Sequence, residues 1–363
     1  MVGSRGYPSY YGGFETLVRQ LAPFLADRGW DVTVYGRPDA IRHDDPERDP
    51  RVRSLHTAGL DTKSLSTLSF GLTSTVDAAR RRPDVAFVMN VANGFFLPLL
   101  KRRGIPTVVN VDGIEWEREK WGRAARTAFL TGARMTAKHA TSIVVDSVVI
   151  GDRWSNEFGR TGPTIAYGGD RPRELPVPEG LEAGKYALIV ARFVPENSVE
   201  EFFQAAEDLS NDWDVVLVGS TGYGGELDER ARHLDETHPR IKWYGHIHDD
   251  DLLFALWQHA GVYFHGHSVG GTNPALVQAM ACGAPTVARD TLFNREVLGS
   301  EGRFVEPEPA AINAQLREVL EDAELQEQLR ASALRRQAES YTWERVCSAY
   351  ERAFQEAIQA QAR

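Results

Sequence analysis

The chain has 363 residues, too many for one ordinary core and about right for two domains of typical size. A 42% hydrophobic and 25% charged composition with a net charge of −10 fits a globular protein and argues against a nucleic-acid partner. Cys282 and Cys347 are the only cysteines, which excludes a disulfide framework or a cysteine-based zinc site and suggests a reducing, cytoplasmic setting. The longest apolar stretch, Phe95–Leu100, is broken by Pro98 and falls far short of the roughly 18–20 residues that cross a bilayer. The N-terminus shows no charged-then-apolar signal pattern.

Charge is unevenly divided. Residues 1–170 carry 23 Lys+Arg against 19 Asp+Glu, and the remainder 18 against 32. Basic clusters stand at Arg80–Arg82, at Lys101–Arg103, and along Lys120, Arg123, Arg126, Arg134 and Lys138. Solvated helix and loop ends account for them simply. The alternative is a basic surface of the N-terminal half that meets an anionic lipid, which would make the protein peripheral on the inner face of a membrane.

In chain order, short β-branched runs alternate with helical patterns. The first half offers strands at Val32–Tyr35, Val85–Asn90, Pro106–Val111, Ser142–Asp146 and Thr164–Tyr167, and a helix at Phe14–Arg28 stopped by Gly29. Residues 170–184 are rich in Pro, Gly and charge, have no apolar period, and read as a linker. The rhythm then restarts with strands at Tyr186–Ala191, Val215–Gly219, Ile241–Tyr244, Val262–Phe264, Pro285–Ala288 and Arg303–Val305. Helices at Val199–Leu209, Asp249–His259, Pro274–Met280 and Asn313–Leu320 fit between them. Thr342 caps a last helix whose apolar face is Val346, Tyr350, Ala353, Phe354 and Ile358. The expected architecture is α/β, with two doubly wound, Rossmann-like domains at 1–172 and 173–342 and a final helix, about 343–363, packing back on the first. Carboxyl ends of both sheets would then face a central cleft.

The most informative segment is His265–Pro274. A hydrophobic strand runs into a Gly-Gly-Thr-Asn loop, and Pro274 suits a first helical turn. Backbone N–H groups, the Thr272 hydroxyl and the Asn273 amide at a helix N-terminus suit an anion such as pyrophosphate, although an ordinary strand-to-helix turn has the same pattern. The stretch GGTNPALVQAMACGAPTVARD with NREVLG after it resembles the donor-site signature of retaining GT-B glycosyltransferases of family four. ALIVARFVPEN (187–197), VVLVGSTG (215–222) and IKWYGHIHDDDLL (241–253) agree in order and spacing. GSRGYPSYYGGFETLVRQLAPFLADRGWDVTVY at the start and NVDGIEWEREKW (110–121) resemble a branch that includes bacterial cell-surface rhamnosyltransferases.

That resemblance implies roles. Arg192 would neutralise the donor diphosphate in the transition state. Gly12 and Gly13 would let backbone approach it from the N-terminal domain. Gly270, Gly271, Thr272 and Asn273 would cradle phosphate and sugar, with Gly219 on the nucleotide-side turn. Gln278 would reach the ribose hydroxyls, Ile247 would border the base, and His267 would lie near the transferred sugar. Asp112 would stand beside that sugar as a catalytic group, with Glu115 and Trp116 on the acceptor side; core packing explains Trp116 and Trp121 equally well. Three positions depart from the family pattern, the first being Gly270, which stands where the family has the first of two glutamates. Gln278 occupies the place of a glutamate, and Asn197 that of a diphosphate lysine, the latter removing a charge-assisted bond worth on the order of 1–3 kcal/mol.

The implied activity is a retaining, metal-independent transfer of a hexose or deoxyhexose, rhamnose favoured, from a nucleotide sugar to a glycan or lipid-linked acceptor. No cofactor is expected. His265 and His267 lack a third ligand for a metal, and Asp249–Asp251 open a helix. A front-face route is preferred, because neither Asp112 nor Glu115 can be assigned as a far-face nucleophile. Rival readings are a non-catalytic sugar-nucleotide-binding partner subunit and a nucleotide-sugar epimerase on the same architecture.

Overall fold

The computed structural model describes residues 1–10, 12–38, 45–60, 66–118 and 121–362; Lys120 of the basic series lies outside them. The chain divides into two compact units, Met1–Tyr167 with Trp343–Arg363, and Gly168–Thr342.

In the first unit, parallel strands β1 (Thr33–Gly36) and β2 (Arg53–His56) pair, and β3 (Ala86–Met89), β4 (Thr107–Asn110) and β5 (Ser142–Val144) form a second parallel set. Met1 and Val2 join the two sets. Val2 bridges Val88 and exchanges bonds with Phe87 O (2.8 Å) and Met89 N (2.9 Å), while Tyr35 N reaches Met1 O at 3.0 Å. Residues 1–2 thus stand between β1 and β3 as a two-residue strand. β2 has an exposed, polar pattern without β-branched residues, which is why periodicity does not reveal it. The strand expected at Thr164–Tyr167 is reduced to one bridge, Val145 to Thr164.

Helix α1 (Gly13–Asp27) buries Leu17, Leu21 and Leu25 with Val18 and Ala22, two rows at i,i+4 spacing. At Gly29, φ is +85°, and the glycine lets the chain turn away from the helix end. The connecting helices are α2 (Ser66–Arg81), α3 (Leu97–Arg102), α4 (Arg123–His139) and α5 (Val148–Phe158). Arg80 and Arg81, and Lys101 and Arg102, fall in the last turns of α2 and α3, where cations meet the negative end of the helix dipole. The C-terminal helix Trp343–Ala362 closes the core: Tyr350 and Phe354 pack on Phe87 at 5.2 and 5.4 Å between ring centroids. The Tyr350 hydroxyl accepts the Asn110 Nδ2–H at 2.6 Å in a fully buried setting.

The second unit holds one six-stranded parallel sheet of β6 (Tyr186–Val190), β7 (Asp214–Val218), β8 (Ile241–Trp243), β9 (Val262–His265), β10 (Thr286–Arg289) and β11 (Arg303–Val305), in the order β11-β10-β9-β6-β7-β8. Helices α6 (Val199–Leu209), α7 (Glu226–Thr237), α8 (Asp250–His259), α9 (Pro274–Ala281), α10 (Leu292–Leu298), α11 (Pro309–Glu321) and α12 (Ala323–Ser340) connect and cover it. The order of winding across the sheet reverses between β6 and β9, which run parallel, and this is the crevice where doubly wound sheets take ligands. Residues 170–184, read from composition as a linker, belong to this unit. They carry no helix or strand, yet Leu175 N bonds Gln258 Oε1 at 3.0 Å and Leu175 O meets His259 Nε2 at 2.7 Å, so α8 pins them.

Gly219 follows β7 at φ +127°, and a Cβ there would lie 1.8 Å from Ala191 O. Its N–H donates to Gly245 O at 2.7 Å and its carbonyl accepts from Trp243 Nε1 at 2.9 Å. With both backbone groups used internally, it is a packing glycine rather than the donor-binding residue expected. Gly219→Ala should lower unfolding free energy by at least about 2 kcal/mol through strain and overlap, read from urea denaturation. Tyr350→Phe should lower it by about 1–3 kcal/mol, because the buried Asn110 amide loses its acceptor; an unchanged midpoint would show that bond to be dispensable.

Candidate functional site

In the second unit three loops meet at the carboxyl edge of the sheet, on either side of its switch point. They follow β6 (Arg192–Ser198), β9 (Gly266–Asn273) and β10 (Asp290–Thr291). Gly266 permits their close approach, since a Cβ would sit 2.2 Å from Asn197 O. Ser198 adopts φ +51° at the start of α6; its hydroxyl donates to Gly266 O at 2.9 Å and accepts from Arg289 Nη1 at 2.9 Å. Asn197 is buried, donates from Nδ2 to Arg192 O at 2.8 Å, and turns Oδ1 to His267 Nδ1. Ser268 returns both its N–H (2.9 Å) and its hydroxyl (2.8 Å) to Glu196 O. Asn294 of α10 donates to His267 O at 2.9 Å and Arg289 O at 2.8 Å. The loops are therefore laced into one rigid rim.

On that rim the Arg192 side chain is exposed, and its guanidinium takes no carboxylate among the described residues. Gly270 has φ +96°, and the N–H groups of Gly270 and Gly271 make no hydrogen bond among the described residues. Asn273 caps α9 by accepting Ala275 N–H at 2.9 Å, Pro274 opens the helix, and Thr272 is buried. A cation and open amides at a helix start suit an anion. His265 is a core residue. Burial pushes its imidazole well below the usual range, the neighbouring His267 adds to this, and Nδ1 meets the Tyr263 hydroxyl at 2.9 Å.

Two other expected donor residues lie elsewhere. The Gln278 amide exchanges bonds with Asp170, accepting its N–H at 3.0 Å and donating to its carbonyl at 2.8 Å. Both ends are spent on holding the segment after Gly168, so the ribose role is corrected to a structural clamp. Ile247 is half-buried in the connection after β8, the edge strand two places from β6. The glycine turn 222–225 is faced by acid, because Asp228 takes Thr221 N–H at 2.9 Å as well as its hydroxyl; it does not suit phosphate.

In the first unit, Gly12 caps α1 and Gly13 begins it; a Cβ on Gly12 would meet only Glu15 Oε2, at 3.5 Å. Glu15 is buried and accepts Arg5 N–H at 2.8 Å, so the loop before Gly12 folds over the helix start. Asp112 follows β4 with φ +61°. Its N–H is taken by Asn110 Oδ1 at 2.9 Å, and Asn90 Nδ2 stands 3.4 Å from its carboxylate. Asn90 too has positive φ, +68°. Burial raises the Tyr167 phenol well above its usual range, followed by the charges of Asp112 and Asp146, which marks these groups as neighbours. Asn90, Glu15, Asp146 and Arg289 were not singled out from sequence; a polar residue directly after a buried strand is the signal that could have found Asn90 and Asp146.

Glu115 and Trp116 are corrected. Glu115 is buried, with Arg118 Nε at 2.8 Å from one carboxylate oxygen and Trp121 Nε1 at 2.8 Å from the other. Trp116 is 9% exposed and packs edge-on against Trp154 and Phe158 at 6.3 and 5.8 Å. Neither presents a face to an acceptor. Among the described residues, no group of three or more His, Cys, Asp or Glu is placed to hold a metal ion, and no helix is long and apolar enough to cross a membrane.

Residues 172–336 match the family described as Glycosyl transferases group 1, and residues 12–166 the Glycosyl transferase 4-like domain. Over 167 residues the chain is 28% identical to the O-antigen chain mannosyltransferase B of Escherichia coli, covering 44% of this chain and only 42% of that curated relative. Among solved structures, a sucrose-phosphate synthase from Thermosynechococcus elongatus superposes with a TM-score of 0.80 at 19% identity, over 97% of this chain and 95% of its own. The Anabaena protein HepE in complex with UDP superposes with a TM-score of 0.73 at 15% identity, over 97% of each chain. Two Rossmann-like α/β units of this kind are the GT-B fold, and the chain belongs to the family-four glycosyltransferases.

Proposed function

We propose that this chain moves a hexose or deoxyhexose from a nucleoside-diphosphate donor to a glycan or lipid-linked acceptor in polysaccharide synthesis. The observation that carries this reading is that the loops bearing Arg192, exposed and with no carboxylate partner among the described residues, and Gly270 and Gly271, whose amides make no hydrogen bond among them, are bonded into one rim. A diphosphate leaving group gains negative charge as the sugar departs, and fixed donors aimed at it lower the barrier. In this reading the second unit holds the donor and the first unit serves the acceptor, with Asp112 as the first unit's candidate catalytic group. The basic helix ends of the first unit would favour an anionic, lipid-linked acceptor. HepE, a protein of similar fold, was solved with UDP and with UDP-glucose, which supports a uridine-type donor. The curated relative is named a mannosyltransferase, so mannose stands beside rhamnose as the sugar to test.

Retention at the anomeric carbon is what the family resemblance implies, and within retention a front-face route is the reading we favour over a double displacement. A double displacement needs a free carboxylate on the sugar's far face. Glu115 is spent on Arg118 and Trp121, so it cannot serve. In the front-face route a departing phosphate oxygen takes the acceptor proton, and Arg192 with the loop amides carries the developing charge. Asp112 orients the sugar hydroxyls.

Arg192→Ala should reduce transfer at least about tenfold, or roughly 1.4 kcal/mol of transition-state stabilisation, with an unaltered unfolding midpoint. Unchanged turnover would remove Arg192 from the chemistry. Transfer should survive EDTA, because the charge on the leaving group is met by protein donors; strict dependence on a divalent cation would overturn that route.

A further inference from the structure

We propose that the outer face of α4, continued by the end of α3, docks the chain on an anionic bilayer surface. This goes beyond the donor-site reading and does not depend on it. Every long side chain that is exposed on α4 is a cation. Arg123, Arg134 and Lys138 recur at the spacing of one helical face, which spans about 22 Å from first to last. Between them Thr127 and Thr131 fold their hydroxyls back onto the carbonyls of Arg123 (3.0 Å) and Thr127 (2.8 Å), and Ala124 is small. The floor of the face is low and uncharged, and guanidinium and ammonium groups rise from it. None of the three has a carboxylate partner among the described residues.

Topology joins a second group to this row. β3, β4 and β5 are parallel neighbours, so α3 and α4, which precede β4 and β5, both end at the amino edge of that sheet, and they pack against each other. Lys101, Arg102 and Arg103 stand exposed at the end of α3, also without a carboxylate partner among the described residues. Burial lowers the His139 imidazole, and the charges of Lys101 and Lys138 lower it further, so both ammonium groups stand around one ring. Segments 85–111 and 120–145, which contain the two helices, hold no aspartate or glutamate. The helix dipole is the ordinary reason for cations at helix ends, and it accounts for Lys101, Arg102 and Lys138. It does not account for Arg123, which opens α4 at the positive end of the dipole, or for Arg134, more than a turn from the helix end. Six cations clear of acid suit a surface of uniform negative sign, and a bilayer presents one flat along the whole row. Residues after 170 carry 18 Lys+Arg against 32 Asp+Glu, so the rest of the sequence does not compete for that partner. α4 runs from the carboxyl edge of β4, where Asp112 stands, to the amino edge of β5, and a bilayer lying along it passes the Asp112 edge.

The test is co-sedimentation of the full chain with vesicles of phosphatidylcholine alone and of phosphatidylcholine with about one third phosphatidylglycerol, at about 0.1 M and about 1 M salt. Wild type should bind the mixed vesicles at low salt, leave them at high salt and ignore the neutral ones. Arg123→Gln, Arg134→Gln and Lys138→Gln together keep good helix formers at exposed positions. That triple variant should lose at least about tenfold in vesicle affinity with an unchanged unfolding midpoint. If its midpoint falls, Arg102→Gln with Arg103→Gln, at the exposed end of α3, is read instead and should lose several-fold. Lys185→Gln, Arg232→Gln and Lys242→Gln together remove the same charge from exposed positions of the second unit and should bind as wild type does. Wild type that does not bind the mixed vesicles, equal losses in the two triple variants, or binding that persists in high salt or on neutral vesicles overturns the proposal. Retention on heparin without vesicle binding overturns it too, by showing an acidic polymer as the occupant.

Discussion

One buried carboxamide holds together the edge on which the site depends. A doubly wound sheet opens a crevice where its winding reverses, and the loops on the two sides of that crevice come from segments distant in sequence. Here they are residues 192–198 and 266–273, joined by Asn197 through the Arg192 carbonyl and His267 Nδ1. The contact forms only because Gly266 has no side chain, a Cβ there falling 2.2 Å from Asn197 O. Ser198, strained at φ +51°, completes the seam by binding Gly266 O and Arg289 together. Strain of this sort costs on the order of 1–3 kcal/mol and persists where surrounding bonds over-determine it. In return the backbone that carries Arg192, Gly270 and Gly271 is fixed in advance, so that little backbone ordering is left to occur when a ligand binds.

Much of this was legible in the sequence, for identifiable reasons. Strands β6, β7, β9 and β10 are buried on both faces and so read as unbroken apolar runs, ending in Gly, Arg or His where the sheet gives way to loops. The Gly-Gly-Thr-Asn-Pro run announced a strand-to-helix turn with open amides, and the turn has that form. What sequence could not deliver was the partner of each polar side chain. Gln278 was assigned to ribose by position in a motif, yet its amide is matched atom for atom to the backbone of Asp170, more than a hundred residues away. Gly219 sits in a turn that looks phosphate-like, but Ala191 O occupies the space beside it. Trp116 and Glu115 have the residue types of an acceptor site and are consumed by Trp154, Phe158, Arg118 and Trp121. Hydrogen-bond satisfaction is a tertiary property, and local pattern carries little of it.

Asn197 shows the opposite case. By composition it marks a lost charge, a neutral amide where the family resemblance places a lysine. In three dimensions the same amide turns its oxygen, an acceptor, to His267 Nδ1, a contact at which a lysine ammonium could only donate. A substitution that looks like weakening is thereby coupled to a second residue, and the two have to be read as a pair.

The first unit follows a related logic with carboxylates. Asn90 and Asp112 end adjacent strands, both with positive φ, and each is tied back by a side chain of the pair Asn90–Asn110. Asn and Asp tolerate that backbone region better than other non-glycine residues, because a short polar side chain can bond locally. Burial of Tyr167 and Tyr350 beside Asp112 and Asp146 makes both phenols harder to ionise, so neither competes as an anion there. The Tyr350 hydroxyl also steadies Asn110, whose own oxygen positions the Asp112 backbone. Tyr350 lies on the C-terminal helix, which the chain reaches only after completing the second unit. The geometry at Asp112 therefore depends on the last twenty residues having docked, and a chain truncated before them would lack an ordered Asp112 even with every strand of its sheet present.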